Sequence, residues 1–110
     1  SEWIVMADNN SASGNLTDAL YQYEQVLIQE PDNLIAIAGI AHIHTARHNY
    51  SSALKSWDHL LEKNAGNKEA LIAKAHLLIR FGQQKSLLLT ASSTVKIYGK
   101  KYQLRNTYTL

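Results

Sequence analysis

The sequence predicts an all-helical protein built from tandem helix–turn–helix repeats, and three observations carry that prediction. Shifting the 110-residue chain against itself by 34 residues aligns Ala7 with Ala41 and Ala75, Ala19 with Ala53, Tyr23 with Trp57, and Asn33 with Asn67. A period in this range is the mark of stacked supersecondary units. The two clearest copies, GNLTDALYQYEQVLIQEPDN and HNYSSALKSWDHLLEKNAGN, both place an Ala five residues after a turn and an aromatic four residues beyond it. Residues at i and i+4 share a helix face, so a small residue that lets helices approach stands beside a large one that fills the groove. Finally, Gly, Asn and Pro fall where helices would have to start and stop.

Taken in order, helices are predicted near 2–12, 16–29, 34–47, 50–63, 67–81 and 83–97. Gly14 and Gly82 are read as left-handed closures between the two helices of a repeat. His48-Asn49 takes that place in the second repeat, with Asn the next best left-handed residue. Asp18 puts negative charge in the first turn of the second helix, as the macrodipole prefers. Pro31-Asp32-Asn33 ends one helix and caps the next. The sixth helix rests on the register alone, because Thr90, Ser92, Ser93, Thr94 and Val95 are mediocre helix formers. The run TVKIYGKKYQLRNTYTL can also be read as a hairpin turning at Gly99-Lys100. Helix to about Tyr98 is preferred, with a short helix or tail after it.

These positions resemble the tetratricopeptide repeat family. The first repeat supplies Trp3, Met6, Ala7, Ala19, Tyr23 and Pro31, with Asn10 where an aromatic is usual. The second supplies Ile37, Ile40, Ala41, Ala53, Trp57 and Leu60, with His44 at the aromatic position and Ala65 for the Pro. The third is worn: Leu71, Ala75, Leu78 and Gly82 fit, whereas Lys74, Leu87 and Thr94 do not. The resemblance implies a right-handed superhelix of stacked antiparallel helix pairs over residues 1–99, in repeats of about 1–33, 34–67 and 68–99. Residues 100–110 are expected to form a basic tail or short capping helix.

Composition narrows the function classes. At 45% hydrophobic and 18% charged, the chain has the make-up of a folded soluble protein rather than a disordered tail. It has no cysteine, which removes disulfide scaffolds, thiolate metal sites and cysteine catalysis while leaving the compartment open between cytoplasm and periplasm. The longest apolar run, Leu34 to Ile43, is interrupted by Gly39 and His42 and falls short of the roughly 20 residues of a membrane span. SEWIVMADNN has no basic region of a signal peptide. A start on Ser1 without Met is compatible with a piece of something longer, which leaves anchors and targeting signals open. Charge is lopsided: residues 1–69 carry nine acids and four basic residues, a net of −5, and residues 70–110 carry seven basic residues and no acid.

Little in the sequence suggests catalysis. His44 and His48 stand at i, i+4, as two metal ligands one turn apart would, but Thr45 occupies the place of the Glu in the HExxH pattern and no third ligand is evident. The plainer reading puts His44 at a packing position and His48 in the turn, so no metal and no cofactor is expected. No GxSxG elbow, SxxK motif or phosphate loop is present. Asp8, Asp18, Asp32 and Asp58 read as caps and solvated surface, and the chain is expected not to be an enzyme.

The resemblance implies instead a protein-binding groove lined by the first helix of each repeat. Its register places Asp8, Ile35, Ala38, His42, Thr45, Ile72, His76 and Arg80 there as partner-binding residues. The positions at which some family members clamp a carboxylate are Ile4, Asp8, Gly39, Glu69 and Ala73, none of them basic or Asn, so that clamp is absent. A groove of small apolar residues with two His and one Arg suits an amphipathic helix or extended peptide. The expected function is a scaffold, adaptor or chaperone module. The alternative is contact with nucleic acid or an acidic partner through Lys96, Lys100, Lys101 and Arg105, which alternate with Tyr98, Tyr102 and Tyr108. No recognised nucleic-acid module supports it, and nucleic acid is disfavoured. An acidic front and basic back would also favour contact with a second copy or a neighbouring domain.

Overall fold

A computed structural model describes the backbone of residues 2–105 and the side chains of residues 2–89. Five helices lie within them: α1 (Glu2–Ala12), α2 (Leu16–Gln29), α3 (Leu34–Ala46), α4 (Tyr50–Lys63) and α5 (Lys68–Arg105). No strand occurs among the described residues. The chain divides into two compact units, Ser1–Ile79 and Arg80–Leu110.

In the first unit α1 packs on α2, α2 on α3 and α3 on α4. The same terminal chemistry recurs one repeat apart. Asn33 Oδ1 accepts from the amide of Ala36 at 3.0 Å and Asn67 Oδ1 from that of Ala70 at 2.9 Å, each capping a helix that opens a repeat. Within a repeat, α1 and α3 close through matching amide bonds, Asn15 to the Asn10 carbonyl and Asn49 to the His44 carbonyl, both at 2.8 Å. Gly14 (φ 87°) and His48 (φ 61°) supply the left-handed residue that these closures need. In the second turn it is therefore His48 and not Asn49 that goes left-handed.

The core shows the repeat most directly. One cluster joins Ala7, Ala19, Tyr23, Val26, Ala36 and Ile43. Moved along the chain by one period, those positions become Ala41, Ala53, Trp57, Leu60, Ala70 and Leu77, which with Ile37 form the second cluster. Ala19 and Ala53 are wholly buried, as their place against the facing Ala7 and Ala41 requires. Trp57 and Leu60 are buried completely, so truncating either would cost about 3–5 kcal/mol for the indole and 2–5 for the leucine. Asn10 and His44 fill the aromatic position differently. Asn10 Nδ2 donates to Oε1 of buried Gln22 at 2.8 Å, satisfying a polar pair in place of a ring. His44 keeps an imidazole there with Nδ1 buried and unpartnered among the described residues.

The predicted helices at 67–81 and 83–97 are one helix, α5, which corrects the reading of Gly82 as a turn. Gly82 lacks the positive φ of Gly14, and a Cβ there would meet nothing within 4 Å. The segment after it also lacks the small–large pair that docks a second helix, having Leu87 and Ala91 where earlier repeats have Ala and an aromatic. Ala70 and Leu77 are buried in the second core cluster with residues of α3 and α4, whereas Leu71 and Leu78, counterparts of Ile37 and His44, stay 48% and 51% exposed. The hairpin alternative also fails, since α5 continues to Arg105. In the second unit, Leu87, Leu88 and Leu89 are exposed, and the Lys85 ammonium lies 5.3 Å from the Phe81 ring centroid. No described helix is long and apolar enough to cross a membrane.

Candidate functional site

The first unit holds a cavity of about 320 Å³ shared by successive repeats. α1 contributes Asp8, and α3 contributes Leu34, Ile35, Ala38, Gly39 and His42. Asn67 and Glu69 close it at the start of α5, with Tyr23 of α2 and Leu60 of α4 beneath. The i, i+3, i+4, i+7 spacing of Ile35, Ala38, Gly39 and His42 sets them on one face of α3.

Tyr23 organises this site. It is buried, and its hydroxyl donates to Asp8 Oδ1, joining the core of the first repeat to the cavity wall. Desolvation raises the phenol well above its ordinary range, and the hydrogen bond and charge of Asp8 push the same way. The ring also lies against the backbone of Gly39, where a Cβ would stand 2.7 Å from Tyr23 Cε1. Only a glycine leaves that approach open. His42 lies edge-on to the buried Trp57 indole, with ring centroids 5.1 Å apart at 82°.

Of the sequence-predicted residues, the cavity brings together Asp8, Ile35, Ala38 and His42. Thr45 turns inward on its own helix, its hydroxyl donating to the Ala41 carbonyl at 2.9 Å. Ile72 and His76 are exposed on α5 and do not line the cavity, and Arg80 falls in the second unit. Lys96, Lys100, Lys101 and Arg105 fall on α5 beyond the residues whose side chains are described. His48 Nδ1 is 2.7 Å from the Tyr50 hydroxyl, and the described residues include no group of three potential metal ligands.

Tyr23, Leu34, Leu60 and Asn67 are lining residues that sequence reasoning missed. Tyr23 read as a packing aromatic matched to Trp57. The available signal was its hydroxyl, which a buried tyrosine must satisfy.

A family model described as tetratricopeptide repeat matches residues 11–77, which takes in the whole of α2, α3 and α4 and the capped start of α5. No curated protein matches the chain. Repeats of this kind generally mediate protein–protein interactions. The match covers more than half of the sequence, and the chain belongs to the tetratricopeptide repeat family.

Proposed function

We propose that this chain is a non-enzymatic scaffold or adaptor that seats a helix or extended segment of a partner protein along the face formed by α1, α3 and the start of α5. The observation that carries this reading is the shared cavity, whose wall is drawn from the first helices of successive repeats. Exposed Ile35 and half-buried Ala38 offer apolar contact there, and Asp8, His42 and Glu69 offer polar groups at the rim. An apolar patch with a few directed polar groups is what a peptide segment requires for affinity and register.

The test is a pull-down with wild type and an Ala38→Arg, His42→Glu variant, with recovered proteins identified by mass spectrometry. Loss of specific partners from the variant supports the reading, and equal recovery by both proteins sinks it. The excess of basic residues in 70–110 motivates a second reading, contact with nucleic acid or an acidic partner. Salt-sensitive binding to random oligonucleotides, lost on Lys100→Glu plus Lys101→Glu, would favour it.

A further inference from the structure

We infer that the cavity receives a cationic side chain, a lysine or arginine presented by the partner segment; this rests on the groove reading above. The carboxylates lining it are Asp8 and Glu69; no lysine or arginine lines it among the described residues, and the remaining titratable side chains of the lining are His42 and Tyr23. Neither acid is ion-paired among the described residues, where the carboxylate bridges are Glu62 with His59, Asp32 with Lys63 and Asp58 with Lys74.

Geometry adds to charge. Asp8 is fixed by the Tyr23 hydroxyl at one oxygen, and an ionised carboxylate has acceptor capacity left on both. Its carboxylate is thus pre-oriented, which lowers the cost of ordering it on binding. Leu34, Ile35, Ala38 and Leu60 give the cavity apolar walls. Lysine and arginine match that arrangement, because their methylene stems lie along apolar surface while the head stays polar. A partner carboxylate would meet two like charges, and a neutral polar side chain would leave both acids without a counter-charge. The net charge of −5 over residues 1–69 favours approach of a cation from a distance.

The experiment selects a library of random linear peptides displayed on phage against the immobilised full chain, with counter-selection on Ala38→Arg, His42→Glu. Selected peptides are then synthesised with each lysine replaced by acetyl-lysine and each arginine by citrulline, and titrated into wild type, Glu69→Gln and Asp8→Asn plus Glu69→Gln. The inference predicts a shared Lys or Arg in the groove-dependent peptides. Neutralising that residue in the peptide should weaken binding to wild type by about fivefold or more, and Glu69→Gln by about twofold. The double variant should weaken it further. The peptide arm needs no protein variant, and Glu69 is exposed, so a fold disturbed by Asp8→Asn does not blunt the test. Groove-dependent peptides with no basic residue, or with affinity unchanged by neutralisation, overturn this inference and leave the groove reading standing. Peptides indifferent to the groove variant, or no peptide at all, overturn both.

Discussion

Tyr23 lies on the bare backbone of Gly39, at a distance where a Cβ would meet ring atom Cε2 at 2.6 Å. One residue belongs to the second helix of the first repeat and the other to the first helix of the second, so this approach sets how closely the two repeats stack. Gly39→Ala must displace a buried ring and is expected to cost about 1–3 kcal/mol in urea unfolding. Tyr23→Phe keeps the ring and gives up the hydrogen bond to Asp8, a loss of about 1 kcal/mol. A Gly39→Ala protein as stable as wild type would show that the ring is not confined.

The glycines at the two ends of the repeat pattern should respond with opposite signs. Gly14 is left-handed at φ 87°, so Gly14→Ala is expected to destabilise by about 1–2 kcal/mol. Gly82 lies inside α5 with open space around it, and Gly82→Ala should raise helicity and stability by about 0.5–1 kcal/mol. Circular dichroism and denaturant unfolding check both. Destabilisation by Gly82→Ala would restore the turn that the 34-residue register suggests.

Adjacent leucines on α5 give an equally sharp contrast. Leu77 is 2% exposed in the second core cluster and Leu78 is 51% exposed. Leu77→Ala should cost about 2–5 kcal/mol, whereas Leu78→Ala should stay within about 0.5 kcal/mol. Equal costs in unfolding experiments would mean that the outer face of α5 is covered in solution.

Four helices were legible in the sequence because each carries both a pattern and its punctuation. Asn33 and Gly14 mark ends by local chemistry, and Ala19 with Tyr23 and Ala53 with Trp57 mark faces by spacing. The fifth and sixth predicted helices failed as a pair at Gly82. A glycine signals permission for a turn, not the turn itself, and Leu87 and Ala91 supply no docking pair to drive one. Half of the named groove residues line the cavity because helical register fixes α3 well. Tyr23, Leu60 and Asn67 come from elements that reach the site only through tertiary packing, which register on one helix does not reveal.

Acid should expose the substitution of His44 for an aromatic. Burial lowers its pKa below the ordinary 6.5, and Arg47 adds to that effect while Glu24 opposes it. A histidine depressed in the folded state favours folding above the unfolded value and loses that contribution as pH falls from about 6.5 through the folded value. Wild type should therefore lose stability on acidification through this window, and His44→Phe should lose less. Parallel unfolding midpoints for the two proteins between neutral pH and pH 5 would contradict the assignment.

Whether partner binding belongs to the face formed by α1, α3 and the start of α5 is tested most directly by titrating one recovered partner into three proteins. Wild type, Ala38→Arg plus His42→Glu, and Lys100→Glu plus Lys101→Glu are compared by calorimetry at physiological salt. The proposed groove predicts that the first variant weakens binding by about tenfold or more while the second stays close to wild type. Unchanged affinity in the first variant with a large loss in the second would contradict it.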